Sequence, residues 1–199
     1  MTKDKLEKYD ILINQFKTKV NPEDEDIEKI IDEIHFTLLS LFAYGLEYKK
    51  VIYHFFRKKK EYAELGLILK DVLQIIFLYV GNSKYKFEAA LKKARKIASQ
   101  KGNDYGNGLW YDNIFSQGNA GIVTRSIDKI TRQKTLIIEQ IQQQVIEEDI
   151  LTTILDLLNY SIYSIMLAKG EWQNKENIEK YFDFLKLNKL DFMISFYKE

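Results

Sequence analysis

Hydrophobic side chains recur every three or four residues along most of this chain, a spacing typical of amphipathic α-helices. The first such stretch runs from Leu6 to Val20, and Asn21-Pro22 then resembles the capped, proline-initiated start of a second helix. Similar stretches follow to about Gln100, with Gly81 and Ser83 placed to end one helix and cap the next. The pattern predicts an all-α multi-helix bundle of about seven to nine helices.

The periodicity stops between residues 101 and 120, where glycine and asparagine dominate. Four of the nine glycines lie there, which predicts a glycine-rich loop with room for a ligand to approach the backbone. If that ligand carries a base, Tyr105 or Trp110 is placed to stack on it. Helical spacing resumes from Gly121 to about Gln144 and again from Glu148 to Ala168.

The segment from Glu148 to Ala168 is the most apolar helix of the chain, yet it contains Asp156 and Asn159. A helix that is apolar nearly all round is expected to be buried. A buried carboxylate must be paired, protonated or bound to a cation. Helical spacing places four polar residues on one face of this segment: Glu148, Thr152, Asp156 and Asn159.

The preceding helix offers a counterpart for this polar face. Four charged residues spaced i, i+3, i+4 and i+7 share one of its faces: Arg125, Asp128, Lys129 and Arg132. In one interpretation, Asp128, Glu148 and Asp156 hold a divalent cation while the basic residues neutralise phosphate. In the other, Asp156 pairs with Arg125 or Arg132 in a buried salt-bridge network that only locks the fold.

Composition narrows the chemistry. Cysteine is absent, which excludes disulfides, thiolate metal sites and a cysteine nucleophile, and only two histidines are present. A metal would therefore be held by oxygen ligands, which favours Mg²⁺ or Mn²⁺. The net charge of +1 gives no overall attraction for nucleic acid. The N-terminus lacks the apolar segment of a signal peptide, and no apolar run approaches the length of a membrane span, so we expect a cytoplasmic protein without membrane contact.

Three blocks in the second half of the chain occur in a recognisable order. They are Lys101-x2-Asp104-Tyr105-Gly106, then Gly121-x3-Arg125-x2-Asp128-Lys129-x2-Arg132, then Glu148-x7-Asp156-x2-Asn159-Tyr160. Together they resemble the nucleotide modification associated domain, an all-helical family of phage and bacterial genomes. That family is in turn distantly similar to the all-α nucleoside triphosphate pyrophosphohydrolases, which hold Mg²⁺ with acidic residues of adjacent helices.

The resemblance implies a division of the chain and a role for each matched residue. It implies an N-terminal helical extension (1–80), a nucleotide modification associated-like domain (81–170) and a C-terminal helical segment packing on the same core (171–199). The implied catalytic and Mg²⁺-binding residues are Asp128, Glu148 and Asp156. The implied nucleotide-binding residues are Lys101, Asp104, Tyr105, Gly106, Arg125, Lys129, Arg132 and Asn159. Assembly into a homo-oligomer, as in the related pyrophosphohydrolases, is a further expectation.

Two functions therefore follow from the sequence. The first is binding of a nucleotide or nucleotide-derived small molecule, with Mg²⁺-dependent hydrolysis of a phosphoanhydride as its enzymatic version. Thr152 stands where related sequences usually have an aspartate, which favours binding over turnover. The alternative is a non-enzymatic helical module that sequesters a nucleotide or binds a host protein through its basic 57–60 run and aromatic N-terminal helices.

Overall fold

The computed structural model describes residues 3–23, 26–47, 59–104, 122–140 and 149–169, and this part of the chain is entirely helical. The prediction of an all-α fold is thereby confirmed for the described residues. The helices are α1 (Lys3–Lys17), α2 (Ile27–Glu47), α3 (Lys59–Tyr79), α4 (Lys84–Asp104), α5 (122–133) and α6 (Ile150–Ala168). A π-helical turn, Lys134–Ile138, continues α5.

Helix α6 lies at the centre of the hydrophobic core. It packs most extensively against α3 and also contacts α4 and α1. Buried side chains from α1 to α6 form one hydrophobic cluster, so the core extends across the predicted boundary at residue 80. Burial of α6 on nearly all sides follows from its almost uninterrupted apolar sequence. Among the described residues, no helix is both long enough and apolar enough to cross a bilayer.

Helix α3 ends as its sequence predicts. Gly81 adopts a left-handed conformation (φ 73°), and Asn82 N–H donates to the Phe77 carbonyl while Gly81 N–H donates to the Leu78 carbonyl. These two bonds define a Schellman motif, which satisfies carbonyls that the helix end would leave unpaired. The Ser83 hydroxyl then accepts a bond from Lys86 N–H and caps α4. Both predicted roles are confirmed.

The predicted start of the second helix is wrong by about one turn. Helix α2 begins at Ile27, and its cap is Asp26, whose carboxylate accepts from Lys29 N–H at 2.9 Å. Asn21 instead belongs to a turn that Gln74 of α3 holds through both amide atoms, at 2.8 and 2.7 Å. A bond to a side chain 53 residues away thus overrides the local proline signal.

Two further boundaries differ from the sequence prediction. Residues 101–104, expected in the glycine-rich loop, form the last turn of α4, because extending an existing helix costs little even through one glycine. The helix expected to reach Gln144 stops earlier, after the π turn, where Gln140 adopts a left-handed conformation (φ 50°). Residues 105–121, 141–148 and 170–199 lie outside the described part, and with them the rest of the loop and the C-terminal segment.

The N-terminus of α6 is capped by Asp149. Its carboxylate accepts a hydrogen bond from Thr152 N–H and lies 3.6 Å from the Lys93 ammonium. The bond to the Thr152 backbone, helped by Lys93, lowers the pKa of Asp149 below its ordinary value. The cap is therefore strongest when this carboxylate is ionised.

Asp149→Ala tests this cap. We expect the free energy of unfolding to fall by about 1 kcal/mol at neutral pH, since one helix-initiating N–H loses its acceptor. Because the folded-state pKa is lowered, the ionised cap contributes fully above about pH 4 and is lost as pH falls through the folded pKa. Urea unfolding followed by circular dichroism should show the difference between wild type and variant narrowing in acid. Asp149→Asn, which caps without ionising, is the control, and a difference that persists unchanged to about pH 2 would contradict this account.

Candidate functional site

Four of the buried polar residues of α6 divide into two groups by their partners. Ser161 and Thr153 donate to carbonyls of the preceding turn, at 2.9 and 3.4 Å. Asp156 and Asn159 instead reach neighbouring helices. Side chains that bond within their own helix are satisfied locally. Asp156 and Asn159, the two residues singled out in the sequence, thus tie α6 to neighbouring helices.

Asp156 pairs with Lys129 of α5. The Lys129 ammonium lies 3.4 Å from Oδ2 of Asp156, and the two side chains are 19% and 6% exposed. The expectation that Asp156 meets the basic face of the preceding helix is confirmed, with Lys129 as a partner. Pairing of Asp156 with Arg125 or Arg132 stays a prediction. Desolvation of two charges offsets most of their attraction, so this pair by itself adds little net stability.

The other charged residues of α5 surround this pair unevenly. Arg125 and Arg132 are half-buried, whereas Asp128 is exposed. A purely solvated stripe would leave all of its long side chains in water. The basic face of α5 therefore lies partly inside the protein, beside the buried carboxylate of α6.

The predicted metal site is only partly within the described residues. Asp128 and Asp156 are described, but Glu148 is not. In the ranges that the structure describes, no three acidic or histidine side chains cluster closely enough to hold an ion. Asp156 faces an ammonium there, which competes with a dication for the same oxygen. The described residues alone do not assemble an Mg²⁺ site, and the three-carboxylate site stays a prediction.

Asn159 links three helices. Tyr9 of α1 donates its phenolic hydrogen to Oδ1 at 2.7 Å, and Nδ2 donates to the Ala94 carbonyl of α4 at 3.3 Å. Burial, together with Tyr163 and Asp10, raises the pKa of Tyr9 well above its ordinary value, so the phenol remains a neutral donor. The structure thus places Asn159 in a network with α1 and α4.

The single polar face predicted for α6 is therefore shared between two neighbours. Thr152 accepts from Lys93 of α4 at 3.3 Å, and Asn159 also meets α4, whereas Asp156 meets α5. At about 100° per residue, Asp156 is rotated roughly 40° from Thr152 and roughly 60° from Asn159. That rotation is enough to aim Asp156 at a different helix.

The matched residues of the glycine-rich block lie at the edge of the described chain. Lys101 and Asp104 belong to the last turn of α4. Tyr105 and Gly106 lie outside the described residues. Stacking of Tyr105 on a base accordingly stays a prediction.

Sequence reasoning missed Gln133, which the structure buries completely at the end of α5. Among the described residues, neither its amide nitrogen nor its amide oxygen has a hydrogen-bond partner. Its position was visible in the sequence: Ser126, Ile130 and Gln133 recur at helical spacing on the face that contains buried Ile122. A polar residue at such a core position is a signal for structure or for ligand contact.

Tyr9→Phe tests the network around Asn159. Removing the hydroxyl leaves Oδ1 of Asn159 buried without its donor, so we expect the free energy of unfolding to fall by about 1–3 kcal/mol. Tyr85→Phe is the matched control, because Tyr85 is 85% exposed and its loss should change stability by less than about 0.5 kcal/mol. Chemical denaturation measures both, and equal effects at the two positions would show that the network adds nothing.

Asp156→Asn and Lys129→Met separate a ligand site from a structural lock. Lys129→Met leaves the buried Asp156 carboxylate without the ammonium beside it. It should therefore lower the free energy of unfolding by roughly 3–5 kcal/mol. Asp156→Asn removes the buried charge and leaves Lys129, which is partly exposed, able to reach water, so the melting temperature should stay similar or rise. Lys92→Met, at an exposed position of α4, is the control. If Asp156→Asn is as damaging as Lys129→Met, the pair serves only to lock the fold.

Comparisons with other proteins add nothing to this geometry. No protein-family model, no curated protein and no solved structure matches the chain. The resemblance of its three blocks to the nucleotide modification associated domain consequently stays a prediction from the sequence. The structural support for a function comes from the contact between α5 and α6, where Lys129 meets Asp156.

Proposed function

We propose that the protein binds a nucleotide or a nucleotide-derived anion at the seam between α5 and α6. By the seam we mean the place where the charged face of α5 meets Asp156 of α6. The observation on which this rests is the pair formed by Lys129 and Asp156, flanked on α5 by the half-buried Arg125 and Arg132. Partly dehydrated cations on one helix face suit phosphate, which offers several charged oxygens to bidentate guanidinium groups.

Among the described residues of the seam, positive charges outnumber negative ones, which supports an anionic ligand. Arg125, Lys129 and Arg132 bring three positive charges, and Asp156 and the exposed Asp128 bring two negative ones. Asp156 holds the Lys129 ammonium in place, so this cation is positioned before a ligand arrives. Holding a charge in position in advance lowers the entropy that binding must offset.

The enzymatic version of this proposal is hydrolysis of a phosphoanhydride at Asp128, Glu148 and Asp156 around Mg²⁺. It depends on Glu148, and it also requires Mg²⁺ to compete with Lys129 for Asp156. A dication would polarise phosphate oxygens and activate water. What the described residues support is the binding step: neutralising phosphate charge at the basic face of α5.

Exposed apolar side chains on α2 favour a second function. Phe36 is 74% exposed and Leu39 is 44% exposed, one turn apart on one face of the helix. A non-enzymatic module that binds another protein through its N-terminal helices would use such a face. This alternative requires neither phosphate nor metal, so a nucleotide-binding experiment separates the two.

Calorimetry with a panel of canonical and modified nucleoside triphosphates, with and without Mg²⁺, tests the proposal. We expect at least one ligand to bind, and Arg125→Ala to weaken its binding about ten- to one hundredfold through loss of a charge-assisted bond. Lys96→Ala, an exposed cation on α4, should leave the affinity unchanged. Release of phosphate or pyrophosphate only with Mg²⁺ would establish the enzymatic version. Absence of binding to every triphosphate would refute the proposal and leave the protein-binding module.

A further inference from the structure

The side-chain amide of Gln133 is an exception among the buried amides of the described residues. Gln133 is 0% exposed, and neither Nε2 nor Oε1 has a hydrogen-bond partner in the part of the chain that the structure describes. Buried polar groups in folded proteins are nearly always bonded, so an amide with both atoms unpaired requires an explanation.

Two other buried amides show how the fold treats such a group when its role is structural. Gln74 uses both amide atoms on the backbone of Asn21, at 2.8 and 2.7 Å. Asn159 bonds to Tyr9 and to the Ala94 carbonyl. Both bring separate helices or turns together. Gln133 makes no such link, although it is buried just as deeply.

Gln133 lies beside the seam proposed to bind phosphate. It follows Lys129 by four residues, so the two side chains share one face of α5, one helical turn apart. The π turn Lys134–Ile138 begins at the next residue, with Glu139 N–H donating to the Lys134 carbonyl at 3.1 Å. Single π turns within helices are found frequently at functional sites. The unpaired amide therefore lies where a positioned cation and an irregular helix meet.

We propose that Gln133 recognises the base of the bound nucleotide. A primary amide presents one donor and one acceptor side by side, which complements a base edge that also presents one of each, as adenine does. In this arrangement Lys129 and Arg125 meet the phosphates, and Gln133 supplies the hydrogen bonds that select the base. This inference rests on the proposed nucleotide binding. It adds which residue recognises the base of the ligand.

Gln133→Met tests the base contact, because it keeps the length of the side chain and removes both polar atoms. The probes are nucleoside triphosphates and ribose 5-triphosphate, which has no base. We expect wild type to prefer one base-bearing triphosphate over the baseless probe, and Gln133→Met to lose about ten- to one hundredfold of that preference while binding the baseless probe as before. Gln133→Glu, which keeps the shape but loses the donor, should lose preference in the same direction.

Gln74→Met is the matched control for stability. It breaks two bonds to Asn21 and should lower the melting temperature without changing any dissociation constant. Gln133→Met removes an unpaired buried amide and should raise the melting temperature. A lowered melting temperature or a failure to fold in Gln133→Met would show that the amide is satisfied within the protein or by water, and would overturn the inference.

The remaining outcomes separate this inference from the function on which it rests. If wild type binds neither the triphosphates nor the baseless probe, nucleotide binding itself fails and the inference fails with it. If wild type binds with a base preference that both Gln133 variants retain, binding stands and only the assignment of Gln133 is overturned.

Discussion

Burial of α6 on almost every side is the constraint on which the rest of this structure depends. A helix enclosed by apolar neighbours gives its polar side chains no water, so each must find a partner in its own backbone or on another helix. Ser161 and Thr153 take the first course, and Asp156 and Asn159 take the second. The positions of α1, α4 and α5 around α6 are consequently specified by hydrogen bonds and charge as well as by apolar packing.

The features that the sequence predicted correctly are those set by local chemistry. The cost of burying Asp156 is a property of that carboxylate and its apolar neighbours, so the need for a partner or a proton was evident without knowing the fold. The Schellman motif at Gly81 was equally local, since left-handed backbone favours glycine. The all-helical fold followed from hydrophobic spacing along the chain.

The features that were missed depend on how one helix is rotated against another. Lys129 lies against Asp156, and spacing within α5 does not reveal which of its cations meets that carboxylate. Asn159 meets Tyr9 at a separation of 150 residues, and Asn21 is held by Gln74, 53 residues away. The sequence identifies Asp156, Asn159 and Asn21 as residues that need a partner. Which residue becomes that partner depends on the tertiary structure.

The contrast between Gln74 and Gln133 connects stability with function in this fold. An amide that bonds to the protein contributes to the folded state and is unavailable to a ligand, whereas an amide without such bonds is a cost to the folded state that a ligand can remove on binding. A ligand that bonds only the folded form also stabilises it by mass action. Lys129 is likewise held by Asp156 in a partly dehydrated position. Groups that weaken or merely balance the stability of the unliganded protein thus lie on one face of α5, at Lys129 and Gln133. The buried amide of Asn159, between α6, α1 and α4, has instead a partner for its oxygen and for its nitrogen.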